Sequence, residues 1–160
     1  MWRASQFREH YISSASRLNN LCLAERFLLM GPPLPAASQG LWRELNFAAE
    51  RADTAKCRQL FTILVPLLTG ASKSWRRVLH NTLLKGYANA GDLVGATRVF
   101  RDLKASGLDP NTKTYGKLVE AAAKSGKPEL AMFWAERMEA KFGSSNDVIQ
   151  ATLAHAASLV

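Results

Sequence analysis

The sequence predicts an all-α chain, built as a solenoid of helix-turn-helix units. Three observations carry this. Ala, Leu, Lys, Arg and Glu dominate the 160 residues, all of them good helix formers. The apolar/polar alternation of half-buried strands is scarce, and Val, Ile and Thr are thinly scattered. Most telling, the second half repeats itself at a fixed interval of thirty-five residues: Leu83 falls on Leu118, Leu84 on Val119, Ala90-Gly91 on Ser125-Gly126, Ala96 on Ala131, Leu103 on Met138 and Asn111 on Asn146. A further shift brings Leu118 onto Leu153 and Ala122 onto Ala157. A plain helical bundle needs no constant interval between its turns, whereas a stacked array does.

Residues 1–40 form an N-terminal extension. Apolar residues interleave with Arg3, Arg8, Arg17 and Arg26 over residues 1–30, a pattern shared by organellar presequences and by an ordinary amphipathic helix; Glu9 and Glu25 depart from the former. "MGPPLPAASQG", Met30–Gly40, reads as a linker, because paired prolines, small residues and glycine disfavour a helix. Residues 41–76 fit either a helical cap or a degenerate unit, with Asn46 one interval before Asn81 and "CRQLFTILVPLLTG" available as a second helix. Terminal units expose an apolar face, so some cover is required there.

Residues 77–111 and 112–146 are the two full units. In each, a first helix carries an apolar stripe (Val78, Leu79, Leu83, Leu84, Tyr87; then Tyr115, Leu118, Val119, Ala122). Gly91 and Gly126 stand where a helix end needs a left-handed residue. Asp92 and Glu129 place negative charge at the start of the following helix. Ala96 and Ala131 are small where the paired helices cross. "SGLDPN", Ser106–Asn111, stops the first unit and delivers Asn111 as a cap for the next helix. Residues 147–160 read as the first helix of a third, truncated unit.

The formal charge of +8 and pI near 9.9 suit a polyanionic partner without implying sequence selectivity. Cys22 and Cys57 are far apart with no CxxC spacing, which argues against a zinc ribbon or a disulfide-stapled domain. The longest apolar run, Leu60–Leu68, is too short to span a bilayer and contains Pro66, so no membrane partner is expected. His10, His80 and His155 are isolated, and His80 reads as a packing residue. No glycine-rich phosphate loop, paired carboxylates or metal-ligand cluster is present, so neither catalysis, a metal nor a cofactor is expected.

"RVLHNTLLKGYANAGDLVGATRVFRDLKASGLDPN", Arg77–Asn111, resembles the repeating unit of the pentatricopeptide repeat family: a thirty-five-residue helical hairpin with Tyr-Asn near its start, Ala-Gly at its turn, Ala then Phe in its second helix, and Gly-x-x-Pro before its end. His80 stands where Tyr is usual. Thr112–Asn146 follows the pattern with Gly116 in place of Asn or Thr and Ser145 in place of Pro, and the resemblance covers about half of the chain. It implies binding of single-stranded RNA in mitochondria, or alternatively plastids, at one base per repeat, in company with other proteins of an organellar RNA-processing complex. The base-reading positions it implies are Asn81 with Asn111 in the first unit, a pair that favours a pyrimidine, and Asn146 in the second. Gly116 and Ala151 offer no side chain where Asn81 stands. Val78, Lys113 and Val148 correspond to the base-flanking positions; Lys113 departs from the apolar pattern and is suited instead to a phosphate, as is Lys124. The rival expectation is a protein-binding scaffold of the tetratricopeptide kind, whose interval is one residue shorter.

Overall fold

The computed structural model describes residues 34–143 and, beyond them, residues 147, 150, 151, 153 and 154. Six helices are bounded among them: α1 Ala36–Glu50, α2 Thr54–Leu67, α3 Lys73–Asn89, α4 Leu93–Ala105, α5 Thr112–Lys124 and α6 Pro128–Phe142. They form three antiparallel hairpins stacked in two layers. The first helices pack side by side, α1 on α3 and α3 on α5, while α2, α4 and α6 each cover their own hairpin partner from the other side. No strand occurs among the described residues.

The turns have a common chemistry. At the end of α3, Gly91 N donates to Ala88 O at 3.0 Å and Asp92 N to Tyr87 O at 3.0 Å. This paired closure requires a left-handed residue, and Gly91 has φ +68°. Asp92 then caps α4 through Gly95 N at 2.8 Å. The first hairpin closes in the same manner, from Ala52 N to Ala49 O and Asp53 N to Ala48 O, with Asp53 capping α2. There the left-handed position is held by Ala52, φ 58°, which hides the turn from any search for glycine.

These turns define the register of the array. Gly91 and Gly126 lie thirty-five residues apart, but Ala52 lies thirty-nine before Gly91. α3 has 17 residues where α5 has 13, one additional turn at its N-terminus. Counted from the turns, the residue equivalent to Asn81 in the first hairpin is therefore Trp42. The interval of thirty-five points instead to Asn46, which sits one helical turn further along α1.

The expected linker over Met30–Gly40 is also corrected: α1 begins at Ala36, inside it. Pro35, with φ −52°, occupies the N-cap, where a missing N–H is harmless. Burial of Leu34 and Ser38 and a bond from Gln39 Nε2 to Leu34 O at 2.9 Å hold this first turn.

The core runs continuously through the hairpins, from Leu45, Leu64 and Leu79 to Leu84, Leu118 and Met138. Ala96 and Ala131 are fully buried at the helix crossings, as the sequence predicts. Two glycines add close approaches of their own: Gly86 lies against Cys57 and Ala49, and Gly95 against the ring of Tyr87. Phe100 packs edge-on against Tyr115 and Trp134, at 5.5 Å and 5.2 Å between ring centroids, and so ties the two units together. His80 is buried with its ring edge-on to Phe61 at 5.0 Å, and its Nδ1 lies 2.8 Å from Arg76 O. Burial lowers its pKa below the ordinary value of 6.5, so the neutral ring packs as a tyrosine would and donates through Nδ1. Burial, helped by Asp53, likewise raises the Cys57 thiol to about 11, leaving it unreactive. Residues 147, 150, 151, 153 and 154 are helical, and Leu153 packs on the core.

Candidate nucleic-acid interface

The first-layer helices keep one stripe accessible. On α3 it carries Arg77, Val78, Asn81, Lys85 and Asn89; on α5 it carries Lys113, Gly116, Lys117, Glu120 and Lys124. The spacing of three and four residues places each set on one helix face. The stripes are largely polar and carry five cations (Arg77, Lys85, Lys113, Lys117 and Lys124) against one carboxylate, Glu120.

Asn81 and Asn111 meet at the junction of α3 and α5. Asn111 caps α5, its Oδ1 accepting from Thr114 N at 3.1 Å, while Thr114 Oγ1 returns the favour by accepting from Asn111 N at 3.1 Å, a reciprocal capping box. Because a backbone N–H can only donate, the Asn111 oxygen must point into the cap. Asn81 Nδ2 then donates to that same oxygen at 3.3 Å, which turns Asn81 Oδ1 toward Thr114 Oγ1, 2.8 Å away and donating. Thr114 is fully buried behind the pair. Every polar atom in the triad thus has its role set by a fixed backbone donor. What remains for a ligand is the whole Nδ2 amide of Asn111, one proton of Asn81 Nδ2 and a lone pair of Asn81 Oδ1, an edge richer in donors than in acceptors.

The lysines differ in their engagement. Lys85 pairs with Glu50 at 3.1 Å, and Glu120 accepts from Lys117 at 2.7 Å and Lys124 at 2.8 Å. Burial pushes the Glu120 carboxyl up, but hydrogen bonds from both lysines outweigh this and hold it below its ordinary 4.5. Lys124 Nζ also reaches Asn89 Oδ1 at 3.4 Å, and Asn89 Nδ2 donates to Ala49 O at 2.8 Å, so this row stitches α1, α3 and α5 together. Lys113, two residues beyond Asn111, is half-buried and forms none of these carboxylate pairs; burial alone lowers its pKa from 10.5. Among the described residues, no cluster of His, Cys, Asp or Glu could hold a metal, and no helix is long and apolar enough to cross a membrane.

Residues 77–124, which span the first unit and the inner helix of the second, match the family model described as the PPR repeat family. Residues 77–124 carry the pentatricopeptide repeat. Among curated proteins, none matches the chain. The family is of a helical-repeat, RNA-binding type, and the two-layer array of this chain has the helical-repeat architecture.

Of the positions singled out from sequence, the fold brings together Asn81 and Asn111, with Val78 half-buried three residues before Asn81 and Lys113 two residues after Asn111. Lys124 is placed on the same face but already ion-paired. Gly116 has open space where a side chain would stand, and Ala151 is helical and exposed. Asn146 and Val148 lie outside the described residues. Two residues were missed. Thr114 reads as an ordinary residue of the first turn of α5, and only its spacing of three from a capping asparagine signals its role. Trp42 was hidden by the thirty-nine-residue register.

Proposed function

We propose that the accessible face of α3 and α5 binds single-stranded RNA, and that Asn81 with Asn111 reads one pyrimidine base there, in organellar RNA metabolism in mitochondria or plastids. The observation that carries this reading is the contact between the two asparagines, which aims their remaining donors at one point of a cationic face. Pyrimidines present O2, and cytosine also N3, as acceptors on the edge such donors would meet. Gly116 offers nothing to bond a base, so the second unit contributes affinity through its lysines rather than selection. With stacking at roughly 1–3 kcal/mol per base, one selective unit gives weak, strongly salt-dependent binding. The protein acts as a binding module rather than an enzyme, and joins other proteins of an RNA-processing assembly. The polar, cationic stripe favours this over the peptide-binding alternative, which would call for an apolar or mixed groove.

The test is binding of short single strands at low salt to the wild type and to Asn81→Ala/Asn111→Ala. The double variant is expected to lose affinity for a pyrimidine-containing strand more than for an all-purine one. Equal loss on both, or no binding by the wild type, rules the reading out.

A further inference from the structure

We propose that the α1–α3 junction, one hairpin before the Asn81 site, holds a neighbouring nucleotide of the same strand by stacking its base on Trp42, without choosing among bases. This rests on the RNA-binding reading above and adds a second contact of a different kind.

The two junctions share a plan, although α3 begins one helical turn earlier than α5. Asn81 stands ten residues before the left-handed Gly91, and Trp42 ten before the left-handed Ala52. Asn81 reaches across to Thr114, the third residue of α5, whose N–H is capped by Asn111. Trp42 reaches across to Trp75, the third residue of α3, whose N–H is capped by Ser72 at 3.2 Å. The polar triad of one junction is replaced by an aromatic pair at the other, with ring centroids 5.6 Å apart and planes at 81°. Trp75 is buried at 9% exposure and serves as the support, whereas Trp42 is only partly buried. The half-open indole therefore presents aromatic surface in the row occupied by Asn81.

The chemistry separates the two contacts. An amide pair distinguishes bases by their donors and acceptors. An indole has a single N–H and a broad π-face, and every base has a π-face to lay on it, so stacking adds affinity without selection. Consecutive inner helices pack about 8–10 Å apart, which sets the two contacts on successive nucleotides of an extended strand.

The experiment measures binding of the full chain to strands carrying the preferred pyrimidine, with an abasic residue placed on one side of it or the other. For the wild type, an abasic residue on the α1 side is expected to weaken binding roughly tenfold, and the identity of a base there to change affinity less than about twofold. In Trp42→Leu, which keeps apolar bulk against Trp75, the abasic penalty should vanish; in Trp42→Phe, which keeps a ring, most of it should remain. Circular dichroism establishes that both variants fold, and the Phe variant carries the test should the Leu variant fail to. An abasic penalty that survives in Trp42→Leu, or wild-type binding indifferent to the abasic residue, overturns the proposal. The abasic penalty should persist in Asn81→Ala/Asn111→Ala: a Trp42-dependent penalty without pyrimidine preference upholds stacking while refuting base reading by the asparagines. Absence of binding by the wild type at low salt overturns both.

Discussion

Asn81 Nδ2 donates to Asn111 Oδ1 at 3.3 Å, joining the middle of one inner helix to the cap of the next across thirty positions of sequence. One asparagine cannot be understood without the other. Asn111 satisfies an orphan donor of α5, Thr114 satisfies Asn111 and Asn81 together, and the outward-facing edges are what this arrangement leaves over. On the proposed function, folding and recognition share the same three side chains.

Thr114→Val keeps the shape of the side chain but removes its hydroxyl. Asn111 N then loses its acceptor and Asn81 Oδ1 its donor. Unfolding in urea is expected to show a loss of about 1–2 kcal/mol, and binding assays a reduced pyrimidine preference, because the Asn81 amide is then held only through its bond to Asn111 Oδ1. Thr114→Ser should restore both. Undiminished preference in the valine variant would remove Thr114 from the recognition account while leaving its capping role intact.

The glycines of α4 and α5 should respond oppositely to added side chains. A methyl at Gly95 would collide with the Tyr87 ring, so Gly95→Ala is expected to destabilise the array by about 1–3 kcal/mol. Gly116 has open space around it, and Gly116→Ala should be neutral or stabilising by up to about 1 kcal/mol, as befits relief of glycine in a helix interior. Denaturant midpoints compare the two directly. Gly116→Asn should go further and introduce base preference at the second unit, read out with strands varied at one additional position.

His80 makes stability acid-sensitive. Its folded pKa lies below 6.5 because burial disfavours the charged ring. The unfolded chain therefore takes up the proton first, so the contribution of neutral His80 is fully present above pH 6.5 and declines as pH falls from there through the lowered folded value. Glu120, held below 4.5, adds its own loss only at lower pH. In His80→Tyr the decline between about pH 6.5 and 4.5 should flatten, as measured by thermal unfolding across that range.

Lys113 tests the expected phosphate contact. Its burial without one of the carboxylate pairs that engage Lys85, Lys117 and Lys124 is unfavourable in the free protein. Lys113→Gln should raise stability, weaken binding equally for pyrimidine and purine strands, and reduce the slope of log affinity against log salt by about one. A base-dependent loss would assign Lys113 to recognition instead.

Much of the array was legible in advance because its landmarks are local. Gly91 and Gly126 announce turns by their conformational freedom, and a constant interval then carries Asn81 and Asn111 to equivalent places. The first hairpin escaped for two physical reasons. Its left-handed position holds Ala52, and α3 has one turn more than α5, so counting thirty-five residues back from Asn81 reaches Asn46 rather than Trp42. The linker expected over Met30–Gly40 gives way at Ala36 because the sequence does not show which side of a proline the helix takes; Pro35 opens α1. Thr114 was overlooked because its work depends on Asn81, thirty-three positions away. Such a contact follows from how α3 and α5 stack, and no property of Thr114 alone announces it.

The central claim, that Asn81 and Asn111 act as one reading unit, is tested most directly by a double-mutant cycle on base preference. The ratio of affinities for two strands differing in a single pyrimidine-to-purine change would be measured for the wild type, Asn81→Ala, Asn111→Ala and the double variant. A coupled pair predicts that either single substitution abolishes most of the preference and that the second adds little. Preferences lost independently and additively, or retained in full by either single variant, would contradict it.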